Sequence, residues 1–230
     1  MIGGPRSIIL AIEASGSDAS IAVGKGAELL HLEPVSNAAR PDDDLMPAIA
    51  RAFAHIHSAP KHLGAIYVSI GPGGFTGLRI AVSTAKTLAF ALKCRLFAVP
   101  EAEAVIQAVG AAVPLTVSLS GKHGHYWTTF REPGRISDGQ LISTASIIDR
   151  SIRLGISQIA ASQAPERIAD LAAAAESADL QLIEVHPDAS HVWQAGHRIA
   201  MVGRAASPER LLPIYPREPE AIRLWRQRKG

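Results

Sequence analysis

The chain has 230 residues, 47% of them hydrophobic, enough for one large domain or two small ones with packed cores. Its 23 basic and 21 acidic side chains leave a formal charge of +2, too small for a global field that selects nucleic acid, and a single cysteine, Cys94, excludes an intramolecular disulfide framework. The opening Met1–Arg6 with the short apolar run Ile8–Ile12 lacks the form of a signal peptide, no window approaches a membrane span, and the chain reads as soluble and cytoplasmic.

In chain order, Ser7 to Glu13 is a β-type run ending in the polar turn Ala14–Asp18. Ala19–Val23 is a second strand, Gly24-Lys25-Gly26 a hairpin turn, and Ala27–Leu32 a third strand. The acidic run Asp42–Asp44 suits a helix N-terminus, and Leu45, Ile49, Ala52, Phe53 and Ile56 then recur at helical spacing. Pro47 is expected in the first turn of that helix, where proline is tolerated, and the aspartates are expected to act as a solvated cap rather than a metal site.

Ala65–Ile70 predicts a buried strand and Thr76–Lys93 a long helix. Between them Gly71-Pro72-Gly73-Gly74-Phe75-Thr76-Gly77 implies positive φ or a close approach of backbone to a neighbour, and the free N–H groups of the helix start make the turn a candidate anion seat. The spacing fits neither standard phosphate loop. Thr76 stands where the dinucleotide fingerprint needs its third glycine, and Gly77 is followed by Leu78-Arg79 instead of Lys-Ser/Thr. Along the helix Gly77, Ala81, Ala85 and Ala89 form a ridge of small side chains that lets another helix approach, within the chain or on a partner.

Arg95–Val99 predicts a strand and Pro100-Glu101 opens a helix to about Val109, near which the boundary between lobes at residues 1–108 and 109–230 is placed. Val113–Leu119 and Tyr126–Phe130 read as a hairpin around Ser120–Gly124, followed by a polar loop, Arg131–Gln140. A helix at Thr144–Arg153, a strand at Gln158–Ala161, a helix at Pro165–Ala175, a strand at Gln181–Val185 and a helix at His191–Arg204 are expected to complete an α/β second lobe. The end of the chain is basic, and Arg223, Trp225, Arg226, Arg228 and Lys229 are candidate RNA contacts, set against a terminus whose Leu and Trp dock on the body.

The stretch Gly71–Leu92, GPGGFTGLRIAVSTAKTLAFAL, resembles the signature GPGSFTGLRIG…AKGLA of the TsaB (YeaZ) family, bacterial partners in making the threonylcarbamoyl modification of adenosine next to the tRNA anticodon. Looser similarity runs from Ile8 to Leu212-Pro213-Ile214-Tyr215-Pro216-Arg217. The resemblance implies an α/β fold of two ribonuclease-H-like lobes of the actin and hexokinase superfamily, mixed sheets flanked by helices. It marks Gly71, Pro72, Gly73, Gly74, Phe75, Thr76, Gly77 and Arg79 as the motif loop. It also implies a TsaD-like catalytic partner, a TsaE-like ATPase, tRNA met indirectly through the complex, and a twofold dimer of the chain as an alternative pairing. The interface would use Gly77, Ala81, Ala85 and Ala89 with Leu45, Ile49 and Phe53 of the preceding helix. No cofactor of its own is implied, and a nucleotide at the partner interface is left open.

Chemistry within the chain is harder to assign. An ATPase of this superfamily needs acidic residues in two phosphate loops; Ile12–Ser17 supplies Glu13 alone, and Ser118–Lys122 supplies none. His55 and His57 are two apart, and His123 and His125 lack a third ligand nearby, so no metal site and no catalytic residue are expected. The glycoprotease or M22 peptidase label often attached to the family finds no nucleophile–base pair here. The alternative is an ATP-binding or peptidase-like enzyme acting in the inter-lobe cleft. Two stretches depart from the family pattern: Pro41-Asp42-Asp43 replaces a His-Ser-Glu-like segment, and Ser120–Trp127 loses both acids of Asp-Ala-Arg-x-Gly-Glu-Val-Tyr.

Overall fold

The computed structural model describes residues 7–16, 18–35, 41–110, 114–122, 124–163 and 165–216. The strands β1 (Ile8–Glu13), β2 (Ser20–Lys25) and β3 (Glu28–Pro34) form an antiparallel meander. β4 (Leu63–Ser69) and β5 (Arg95–Val99) extend it in parallel, in the order β3-β2-β1-β4-β5. The run Ile8–Ile12 is apolar without interruption because both faces of the sheet are covered. Leu10, Ile12, Val23, Ile66 and Val68 meet α1 (Pro41–His55) and α2 (Phe75–Leu92), while Ile9, Ala11, Ala22, Tyr67 and Phe97 lie on the opposite side. α1 starts at Pro41, so Pro47 stands inside the helix instead of in its first turn; Pro47 is exposed, and the hydrogen bond it forgoes lies on the solvent side.

The second sheet has the order β11-β10-β6-β7-β8, with β9 also on β7. Its strands are β6 (Leu115–Lys122), β7 (His125–Glu132), β8 (Arg135–Ile136), β9 (Gln140–Ser143), β10 (Gln158–Ala161) and β11 (Gln181–Glu184). The expected polar loop Arg131–Gln140 thus contains the short strand β8 and leads into β9 at its last residue. One face packs against α4 (Thr144–Arg153) and α5 (Ala169–Ser177) through Ile147, Ile159, Leu171 and Ala175. The helix expected from Pro165 begins at Ala169, after a separate 3-10 turn at Pro165–Arg167. The other face, with Val117, Leu119 and Ala160, meets α3 (Glu101–Val109) through Val105 and Ile106. Ala104 of α3 faces the first sheet, so this helix is held between the two lobes and fixes Glu101 at their junction. Two ribonuclease-H-like lobes, as expected, make up the fold.

The last helix departs from the expectation. α6 (Ala189–Met201) does not complete the second lobe; it returns to the first sheet, where Val192, Trp193 and Ala195 bury against Ile9, Tyr67 and Phe97. Shape complementarity is the reason. A Cβ at Gly196 would stand 2.4 Å from Tyr67 Cγ, and a Cβ at Gly24 would stand 2.6 Å from Trp193 Cη2, so each glycine admits the other element's ring. Asp188 caps the helix by accepting from Ser190 N (2.9 Å) and His191 N (3.4 Å), and Ala189 N donates to Ser20 Oγ at 2.9 Å. The chain then straps the first lobe: Ala206 bridges Leu96, Leu211 is buried beside α2, and Ile214 N donates to Ile70 O at 2.8 Å.

Candidate functional site

The C-terminal ends of the strands meet the start of α3 around a cleft of about 500 Å³ between the lobes. Glu13, the last residue of β1, is 1% exposed. One carboxylate oxygen accepts from Ser15 N at 2.5 Å and from Ser15 Oγ; the other has no partner among the described residues. Burial pushes its pKa up against the opposing pull of the Ser15 hydrogen bonds. Glu101, 3% exposed, lines the cleft itself. Its Oε1 accepts from Ser162 Oγ at 2.7 Å across the lobe junction, and its Oε2 has no partner among the described residues. Burial first, and the neighbouring Glu13 charge second, push Glu101 up to about 8, so at neutral pH it is mainly the protonated acid. The Ser69 hydroxyl at the end of β4 also pulls the Glu13 carboxyl down, and the buried Ser118 hydroxyl in the middle of β6 has no hydrogen-bond partner among the described residues.

The glycines of the motif loop have a structural cause. Gly71 adopts φ of +83°, which disfavours any side chain. A Cβ at Gly73 would lie 2.4 Å from Ser15 O, and one at Gly77 would lie 2.4 Å from Ala14 O. Gly74 N donates to Ser15 O at 2.7 Å. The close approach predicted from the glycines is therefore to the β1–β2 turn of the same chain, and the loop spends that N–H on protein instead of holding it out as an anion seat. Beyond the loop, the Arg79 guanidinium lies 3.7 Å from the centre of the Phe75 ring and donates through Nε to Tyr215 Oη at 3.2 Å. Lys86 Nζ donates to Leu211 O at 3.0 Å. The motif helix is thus tied to the C-terminal strap, whose Leu212-Pro213-Ile214-Tyr215 was part of the resemblance.

The small-residue ridge is not a surface. Ala81, Ala85 and Ala89 are buried in the core of the first lobe, as are Leu45, Ile49 and Phe53, and Gly77 packs on Ala14. The four-residue period that would suit a partner helix equally suits α2 lying on its own sheet, and the sheet has taken it. The solvent sides of α1 and α2 instead carry Met46, half exposed, Phe75 and Phe90, the last 78% exposed. Thr76 and Arg79 are also exposed. Arg223, Trp225, Arg226, Arg228 and Lys229 lie outside the described residues. Among the described residues no group of three His, Cys, Asp or Glu side chains is disposed to hold a metal. Sequence reasoning marked Glu13 but missed Glu101 and Ser162. Pro100-Glu101 reads as an ordinary helix start with an acidic first turn, and nothing local shows that the second lobe closes over it.

Residues 34–207 match the family model described as TsaD: tRNA N6-adenosine threonylcarbamoyltransferase. An uncharacterized protein of Mycobacterium leprae is 28% identical over 179 residues, a match covering 77% of this chain and 44% of that protein. The tRNA threonylcarbamoyladenosine biosynthesis protein TsaB of Bacillus subtilis is 36% identical over 78 residues, 34% of this chain and 29% of that protein. The matched stretches span less than half the length of both relatives. Among solved structures, YeaZ from Pseudomonas aeruginosa superposes with a TM-score of 0.66 at 20% identity, covering 91% of this chain and 99% of that one, a likeness of fold.

Proposed function

The chain belongs to the TsaD family and is of its TsaB (YeaZ) type, and on that premise we propose that it serves threonylcarbamoyladenosine formation on tRNA as the non-catalytic partner of a TsaD-like transferase. The observation that carries the partner role is the outer side of the α1–α2 pair, where Met46, Phe75 and Phe90 are exposed while the other large apolar residues of these two helices are buried in the core or packed against it. Exposed aromatic and methionine side chains on a rigid helix pair suit the centre of a protein interface. A TsaE-like ATPase would join that pair, tRNA would be met through the complex, and any nucleotide would lodge at the shared interface.

Light scattering of the purified chain mixed with the TsaD-type protein of the same organism, with and without ATP, tests the reading. A defined heteromeric mass, lost or weakened at least tenfold by Phe90→Asp, is the expected result. A persistent monomer or homodimer in the mixture would overturn it. The enzyme alternative rests on two buried carboxylates, Glu101 in the lining of the cleft and Glu13 beside it in the core. It requires turnover of ATP or peptide by the isolated chain that disappears in Glu13→Gln.

A further inference from the structure

The C-terminal strap ends on the side of α2 that carries the exposed aromatics. Leu211 O accepts from Lys86 Nζ, and four residues later Tyr215 meets Arg79 and Phe75, so the strap runs along α2 toward its start. Phe75, Arg79, Ser83 and Phe90 are exposed and follow one another at intervals of four, four and seven residues, which places them on one side of the helix. Tyr215, 37% exposed, stands at one end of that row with its ring 5.3 Å from Phe75, and Phe90 stands at the other. The described chain stops one residue past Tyr215, and Arg217–Gly230 follow in the sequence. That segment is not polar throughout: Ile222, Leu224 and Trp225 are large apolar side chains among five basic and two acidic residues. Its reach is sufficient. Phe90 lies fifteen positions along α2 from Phe75, roughly 22 Å at the helical rise. Trp225 lies ten positions beyond Tyr215 and can stand up to roughly 33 Å from it, which leaves slack for the chain reversal that Pro216 and Pro219 favour. A segment tethered at the edge of an apolar face meets it at an effective concentration on the order of millimolar, whereas a second copy must be supplied from solution.

We propose that in the free chain the segment Arg217–Gly230 turns back and lays Ile222, Leu224 and Trp225 over the exposed Ser83–Phe90 side of α2, with its basic side chains toward water. The contact is apolar, so added salt does not weaken it. The segment is then a built-in competitor for the surface assigned to the partner. A transferase that takes this surface displaces the segment and frees its arginines and Lys229 for phosphate. The regulatory half of the inference rests on the partner reading; the docking half stands without it.

Fluorine NMR of the isolated full chain, labelled with fluorotryptophan, tests the docking. The chain has three tryptophans, Trp127, Trp193 and Trp225, and Trp225→Phe assigns the last. The Trp225 resonance is expected away from that of a synthetic Arg217–Gly230 peptide and unmoved by dilution or added salt. Phe90→Arg should shift it to the peptide's position. Ile222→Ser should do the same, and its site in the tail keeps the test independent of any effect on the folded lobes. The docking falls if the wild-type resonance already coincides with the peptide's or stays put in both variants. It also falls if the resonance moves on dilution, which would make a second copy the occupant, or reaches the peptide's position on added salt. For the regulatory half, a chain ending at Pro216 keeps both lobes and the strap. It should bind the TsaD-type protein about two- to threefold more tightly than the full chain, the factor set by a competitor covering the face about half to two-thirds of the time. Equal affinity of the two chains overturns the regulatory role. A complex with neither chain overturns the partner reading and leaves the fluorine result to decide the docking.

Discussion

Replacing Glu101 by Gln removes one ionisable group while keeping volume and an acceptor for the Ser162 hydroxyl (2.7 Å), which makes it a clean probe of the lobe junction. In the native fold Glu101 holds its proton up to about 8, against 4.5 for an ordinary glutamate. Between those two values the native state keeps a proton that the unfolded chain has lost. Stability therefore falls as pH rises through this window: the contribution is fully present below pH 4.5 and gone above about 8. At roughly 1.4 kcal/mol per pH unit the full span amounts to about 5 kcal/mol. Glu13, also raised by burial, acts with the same sign. Urea unfolding at intervals from pH 5 to pH 9 should show the wild type weakening steadily. Glu101→Gln should show a slope shallower by up to roughly 1.4 kcal/mol per unit and should overtake the wild type at the alkaline end. Parallel profiles for the two proteins would refute the assignment of a buried, protonated Glu101.

Gly77→Ala places a methyl 2.4 Å from the Ala14 carbonyl oxygen, a backbone atom that cannot swing away, and should cost about 1–3 kcal/mol by denaturant titration. Ala85→Glu puts a charge into the core of the first lobe and should unfold the chain, whereas Phe90→Asp on the exposed side should change stability by no more than about 0.5 kcal/mol and be felt only in partner binding. Leu211→Ala, in the strap over α2, should lower stability by about 2–4 kcal/mol in the same assay, and a loss near zero would mean that the strap is only draped on the lobe. Deleting Arg223–Gly230 should reduce the salt dependence of tRNA binding by the assembled complex if the basic tail touches phosphate, and should leave it unchanged if the tail only docks.

Most of the strands and helices were legible in the chain because their signals are local. The uninterrupted apolar run Ile8–Ile12 announced a strand covered on both faces, and the glycines at 24 and 26 announced the β2–β3 hairpin, though its turn is Gly26-Ala27 and Gly24 and Lys25 stay in β2. The long motif Gly71–Leu92 pointed to a family, and with it to a two-lobed fold that strand patterns alone merely permit. Periodicity also showed that α1 and α2 each have an apolar face, but a period does not say what lies opposite it. Ala81, Ala85 and Leu45 could have met a partner, and in the folded chain they meet β1, β4 and one another. The destination of α6 was equally hidden, because the fit of Gly196 to Tyr67 and of Trp193 to Gly24 joins residues more than a hundred positions apart. Glu101 is the sharpest case. In sequence it is an acidic residue in the first turn of a helix, where it favours the dipole and meets water. Only the closure of the second lobe, bringing Ser162 over it and Glu13 behind it, takes the water away and turns a surface acid into a buried one.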